Sequence, residues 1–195
     1  MEEVFTYQLN MEALGSFTDE QFFNFCQQNK ELRLERDYQG QIIIMAPTGS
    51  ETSKTNASLL GMLWAWNYVY KLGEIFDSNG GFRLPNSAIK AADVAWIHKD
   101  RWAKLSQTEK EKFAPICPDF IIELRSKNDK IEDLQTKMEE WMANGCQLAW
   151  LIDPQAQEVH IYRANQAPEI KTGFNQKISG ESVLVDFELD LSKIL

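Results

Sequence analysis

Two acids and two cations stand at spacings suited to phosphoryl-transfer chemistry. Asp93 interrupts the small and apolar run Ala91-Ala92-Asp93-Val94-Ala95-Trp96-Ile97, and Glu123 interrupts Pro118-Asp119-Phe120-Ile121-Ile122-Glu123-Leu124-Arg125-Ser126. Both runs predict buried strands, where an acid is costly unless it is paired, protonated or bound to metal. Residues i and i+2 of a strand share a face, so Glu123 and Arg125 project together while Ile122 and Leu124 point the other way. Lys137 follows on the next helix, beside its apolar stripe. Two carboxylates from neighbouring strands, with a main-chain carbonyl such as that of Leu124, form a donor set suited to Mg²⁺ and leave positions for water and phosphate oxygens. A nearby cation would orient the attacking water.

The elements that must position these residues can be read in chain order. Thr18 caps a helix with Gln21 placed for a capping box. Glu31 to Met45 predicts a β-hairpin turning at Tyr38-Gln39-Gly40. Ala46-Pro47-Thr48-Gly49-Ser50 opens a long helix marked by Leu59, Leu63, Trp66 and Tyr70, with Gly73 at its end. Strands are predicted over Glu74–Asp77, Gly81–Leu84 and Ile89–Ile97, followed by a polar excursion to Phe113. The run ending at Ser126 leads into a helix with Asp129 as N-cap and Ile131, Leu134, Met138 and Trp141 as its buried stripe. Gly145 ends that helix and Gln147–Ile152 is the next strand, so Phe120 to Ile152 is a β–α–β unit with parallel strands. Glu158–Arg163 reads as an edge strand, and the remainder offers short strands and turns.

Composition narrows the field. The chain has 195 residues, 44% hydrophobic and 25% charged, which are globular values. Its formal net charge of −9 gives no broad attraction to phosphate, so binding to nucleic acid requires a local basic patch or bridging cations. Cys26, Cys117 and Cys146 lack a CxxC pair or histidine neighbours, which argues against a disulfide framework or a zinc site. The acidic start Met1-Glu2-Glu3 lacks the features of a leader, and no run is long and apolar enough to span a bilayer, so a soluble cytoplasmic protein is expected.

At Asp93 and Glu123-Leu124-Arg125 the chain resembles the PD-(D/E)XK nuclease signature. More specifically, Ala46-Pro47-Thr48-Gly49-Ser50-Glu51, Ala92-Asp93-Val94-Ala95, Pro118-Asp119-Phe120-Ile121-Ile122-Glu123 and Trp150-Leu151-Ile152-Asp153-Pro154 resemble the Uma-two family of restriction-endonuclease-like proteins, from about Leu32 to Arg163. The resemblance implies an α/β fold, with a restriction-endonuclease-like mixed β-sheet flanked by helices and an N-terminal helix and hairpin as accessories. It also implies Mg²⁺-dependent hydrolysis of DNA, with Mn²⁺ able to substitute, and a homodimer. One domain is expected, with residues 1–46 the accessory, 47–165 the nuclease core and 166–195 the C-terminal strands and turns. Matched position by position, Asp93 and Glu123 are metal-binding acids, and Glu51 is the acid often found on the superfamily's first helix. Lys137 stands where relatives carry a lysine on the helix after the strand.

Arg125 departs from the pattern. It occupies the superfamily's lysine position, and a guanidinium can clamp phosphate but cannot act as a general base near neutral pH. The leading expectation is a metal-dependent endonuclease in which Asp93, Glu123 and Glu51 serve the metal while Arg125 and Lys137 stabilise the phosphate. The alternative is an inactive nuclease-fold module with Glu123 and Arg125 as a structural ion pair; a small-molecule phosphodiesterase would use the same site. Plainer readings also exist: Glu51 as a helix-terminal charge, Lys137 paired with Asp133 across a solvated face, and Trp141 as packing.

Overall fold

The chain passes from one β-sheet to another at residues 91–93, and this crossing organises the molecule. The structure is a computed structural model and describes residues 7–11 and 15–194; the acidic N-terminal start lies outside them. The smaller sheet contains β1 (Tyr7–Leu9), β2 (Arg33–Arg36), β3 (Ile42–Met45), β5 (Phe82–Arg83) and β6 (Ile89–Lys90), in the order β1-β3-β2-β6-β5. The larger holds β4 (Gly73–Asp77), β7 (Val94–His98), β8 (Phe120–Leu124), β9 (Leu148–Asp153), β10 (Glu158–Arg163) and β11 (Glu169–Thr172), in the order β11-β10-β9-β8-β7-β4. A separate pair, β12 (Lys177–Ser179) and β13 (Glu188–Asp190), closes the chain with a short 3₁₀ turn.

Among the described residues five α-helices complete this α/β architecture: α1 (Asp19–Gln28), α2 (Ser50–Tyr70), α3 (Lys99–Trp102), α4 (Gln107–Lys110) and α5 (Ile131–Ala143). Strands β8 and β9 are parallel, as a β–α–β unit requires, and the other pairs of the large sheet are antiparallel. The sheet's alternation divides the core. Val94, Trp96, Phe120, Ile122, Leu124, Trp150 and Ile152 pack with Leu59, Leu63 and Trp66 of α2 and with the C-terminal segment. Ala95, Ile97, Ile121, Ala149 and Leu151 pack on the other side with Met138 and Trp141 of α5. Glu123 follows Ile121 by two and therefore emerges beneath α5.

Local chemistry explains the boundaries. Thr18 and Gln21 form the expected capping box of α1. Arg36 ties that helix to the hairpin by donating to Asp19, Phe17 O and Ser87 O. The expected strand Ile89–Ile97 divides into β6 and β7, in different sheets, because the backbone N–H and C=O of Ala91 are held by side chains instead of strands. Asp93 therefore sits at a bend before β7, not inside it. Asp129 does not cap α5; its carboxylate accepts from Ser126 N at 2.8 Å, and Lys130 takes the N-cap position. The strand β10 is not an edge, since β11 covers it. Among the described residues no helix is long and apolar enough to cross a membrane.

Gly73 does not end α2. Lys71 does so in a left-handed conformation, φ 52°, and Gly73 instead begins β4. The Asn67 side chain clasps Gly73 N and O and also accepts from Trp96 Nε1, which pulls the strand against β7. A Cβ at Gly73 would lie 2.3 Å from Ile97 O and 2.4 Å from the Trp96 ring. Neither backbone nor packed indole can yield, so Gly73→Ala is expected to destabilise by roughly 2–4 kcal/mol in urea unfolding. Gly61→Ala, in the interior of α2 where a Cβ meets nothing within 4 Å, should instead stabilise by roughly 0.5–1 kcal/mol. Equal effects for the two variants would contradict this account.

Candidate active site

Helix α5 presents Lys137 and Trp141 one turn apart, and both reach the same oxygen. Lys137 Nζ lies 2.9 Å from Glu123 Oε1, and Trp141 Nε1 donates to that atom at 3.1 Å. Lys137 Nζ also donates to Ala91 O at 2.9 Å and lies 3.3 Å from Glu35 Oε1. The ammonium thus joins α5, β8, the crossing at Ala91 and the hairpin strand β2. Glu123 Oε2 takes part in none of these contacts.

Asp93 reaches the same end of the β7–β8 pair. Val94 is opposite Ile122, so the antiparallel register brings Asp93 level with Glu123. Its Oδ2 accepts from Leu124 N at 2.8 Å and its Oδ1 from Asn56 Nδ2 of α2 at 3.1 Å. The other amide atom, Asn56 Oδ1, is buried with no hydrogen-bond partner among the described residues. Glu35 accepts from Ala91 N at 3.1 Å and lies 3.6 Å from Lys90 Nζ, which is itself 3.0 Å from Glu140 Oε2. With every group ionised, four carboxylates (Glu35, Asp93, Glu123, Glu140) face two ammoniums (Lys90, Lys137), so the cluster carries a net −2.

Burial and neighbouring charge divide the titration of these groups. Burial pushes the Glu123 carboxyl up to about 7; Lys137 pulls it down, while Asp93 adds to the rise. Burial likewise raises Asp93, against the N–H of Leu124 and the charges of Lys137 and Arg33. For Glu35, burial is outweighed by Lys137, Lys90 and the N–H of Ala91, and its pKa lies below the usual glutamate value. Burial alone would lower Lys137, but Glu123, Glu35 and Asp93 together hold it well above the ordinary lysine value. Lys137 is therefore an ammonium that donates hydrogen bonds, not a base.

Of the residues singled out from sequence, Asp93, Glu123 and Lys137 come together. Lys137 does not pair with Asp133. Glu51 stands apart: its side chain is 79% exposed and pairs with Lys54 at 2.7 Å. Five residues separate it from Asn56, roughly 140° around the helix, so the turn that aims Asn56 at Asp93 aims Glu51 away. Arg125 Nη1 lies 2.7 Å from Asp153 Oδ2, and Arg125 Nε donates to Asp129 O at 3.1 Å. The expected Glu123–Arg125 ion pair does not form. Glu35, Asn56 and the Trp141 donor are absent from the sequence-based set. The one signal for Glu35 is its position opposite Ile43 in the wholly apolar strand Ile42-Ile43-Ile44-Met45. Among the described residues no three His, Cys, Asp or Glu side chains gather closely enough to hold a metal between them.

Comparisons with known proteins agree with this architecture. Residues 19–192 match the model of the Uma2 family, described as "putative restriction endonuclease". Among solved structures, the chain is similar to a protein from Anabaena variabilis titled as a "putative nuclease belonging to DUF820". The TM-score is 0.73 and the identity 19%, and the match covers 91% of this chain and 97% of that one. At that identity the likeness establishes the fold. A comparison with curated proteins found no match. With the family model matched over nearly its whole length, the chain belongs to the Uma2 family of restriction-endonuclease-like proteins.

Proposed function

We propose that this chain is a metal-dependent endonuclease that hydrolyses DNA phosphodiester bonds in the cytoplasm, with Mg²⁺ or Mn²⁺ held by Asp93 and Glu123. The observation that carries the reading is the convergence of these two acids at one end of the β7–β8 pair beside the Lys137 ammonium. The residues fit a hard divalent cation in three respects: both acids offer oxygen ligands, carboxylates outnumber ammoniums in the cluster, and the buried Asn56 Oδ1 beside Asp93 has no partner among the described residues. With two acids, the remaining positions fall to water, main chain and substrate. A cation bound there would polarise the phosphoryl group and lower the pKa of its water. Lys137 fixes the Glu123 carboxylate through Oε1, and Trp141 donates to the same oxygen.

A second reading keeps the fold without catalysis. Its support is that Lys137 Nζ already has three acceptors, Glu123, Glu35 and Ala91 O, as a purely structural ammonium would. Plasmid cleavage in Mg²⁺ or Mn²⁺ separates the two. The nuclease reading expects nicking or linearisation, reduced by at least 100-fold in Asp93→Asn and Glu123→Gln, together with Mn²⁺ binding that the same changes abolish. Cleavage that survives Glu123→Gln unchanged would falsify the assignment.

The Glu123 pKa gives a pH test in metal-free protein. A raised folded pKa means that the group's stabilising contribution is complete below its unfolded pKa of about 4.5 and is lost as pH rises through about 7. In EDTA, Glu123→Gln should therefore gain about 3 kcal/mol relative to wild type between pH 4.5 and 8. Adding Mg²⁺ at pH 8 should then stabilise wild type alone. A difference that does not change with pH would show that Glu123 ionises in the folded protein as freely as in the unfolded chain.

The reading includes a homodimer. The outward edge of β4 ends the large sheet, and beside it α2 exposes Trp64 (57%) and Tyr68 (64%), stacked at 5.0 Å. An antiparallel edge is self-complementary about a two-fold axis, which suits a second copy. Light scattering behind gel filtration should give twice the chain mass for wild type and a monomer for Trp64→Glu; a monomeric wild type would remove the homodimer.

A further inference from the structure

A phosphate brought to Asp93 and Glu123 needs a cation that is not already occupied. Arg125 is held by Asp153 and Asp129 O, Lys137 by three acceptors, and Lys90 lies between Glu35 and Glu140. Lys54 is exposed and paired with Glu51. Of the six arginines in the chain, five clasp carboxylates: Arg36 and Arg83 on Asp19, Arg101 on Asp119, Arg125 on Asp153, and Arg163 on Glu169 and Glu181. The sixth, Arg33, forms no ion pair within the described residues.

Arg33 is also placed at the site. It precedes Glu35 by two on β2, so the two side chains leave the same face of the strand about 6.6 Å apart. Glu35 reaches Lys137. On its other side Arg33 Nη2 donates to Ser78 O at 3.3 Å, in the turn after β4. Asp77, the last residue of β4, is the register partner of Val94, the residue after Asp93. The carbonyl that holds the guanidinium thus follows the strand residue paired beside Asp93, and the Arg33 charge acts on that carboxyl from beyond ion-pair distance. The side chain is partly buried, and its Nε and Nη1 make no hydrogen bond among the described residues. A partly desolvated guanidinium with free N–H groups, held by one backbone carbonyl, suits the geometry of a phosphate's non-bridging oxygens.

We propose that Arg33 is the phosphate-binding residue of this site, donating from its free N–H groups to a non-bridging oxygen of the DNA phosphate that Asp93 and Glu123 serve. The role rests on the nuclease reading and takes the position that the sequence pattern offers to Arg125.

Three measurements on purified full-length wild type, Arg33→Ala, Arg33→Lys and Arg125→Lys test it: Mn²⁺ affinity, binding of a mixed-sequence labelled DNA duplex in Ca²⁺ across a salt series, and plasmid cleavage in Mg²⁺. The expected result for Arg33→Ala is an unchanged Mn²⁺ affinity and thermal melt, a salt slope smaller by about 0.9 for one lost phosphate contact, and cleavage reduced about 100-fold. Arg33→Lys should restore the slope but only part of the rate, because an ammonium lacks the planar fork. Wild-type slope and rate in Arg33→Ala would overturn the role while leaving the nuclease reading intact. Loss of Mn²⁺ binding in Arg33→Ala would make Arg33 a support of the acids and also overturn it. If wild type neither binds nor cleaves DNA in any of these metals, the nuclease reading falls and the phosphate role with it.

Discussion

The buried ammonium of Lys137 is the contact on which the rest of the site depends. It meets three acceptors, and each belongs to a different part of the chain: Glu123 on β8, Glu35 on β2 and the carbonyl of Ala91 at the crossing. A buried charge without partners is costly, so the lysine and the carboxylates require one another. That mutual requirement draws the hairpin sheet against the large sheet at one point. It also explains why the chain leaves strand geometry at Ala91, since the N–H and C=O of that residue are taken by Glu35 and Lys137 instead of a neighbouring strand.

The fold presents the acids through register more than through shape. Antiparallel pairing of β7 with β8 sets Asp93 level with Glu123, and the Leu124 N–H then fixes the aspartate by its far oxygen. Alternation along β8 sends Ile122 and Leu124 into the α2 side of the core and Glu123 under α5, where residues one helical turn apart meet its carboxylate. Slipping β8 by one residue would exchange Glu123 with an apolar neighbour. The β–α–β connection excludes this, because the same parallel pairing seats Trp150 and Ile152 in the core.

Much of this arrangement was legible in the chain, and for a stated reason: an acid inside an apolar run demands a partner. That argument found Asp93 and Glu123, and the spacing of α5 put Lys137 beside the stripe that packs on β8. It does not reach Glu35, because alternating charges on a hairpin expected to be an accessory read as a solvated strand; only the apolar partner strand hints that the acid is enclosed. Trp141 was identified as packing, and it does pack, but an indole also carries an N–H that needs an acceptor. The division of Ile89–Ile97 into two strands had no glycine or proline to announce it. Glu51 misled because a helix start attracts acids for its own electrostatic reasons.

Arg125, where the resembled nuclease signature has a lysine, is accounted for by what it holds. Arg125 works in two directions at once, with Nη1 on Asp153 at the end of β9 and Nε on Asp129 O in the turn before α5. That fork fastens the start of α5 to the sheet through two separate nitrogens. The helix so fixed is the one that delivers Lys137. The arginine therefore pairs with neither Asp93 nor Glu123; it fixes the element that carries Lys137.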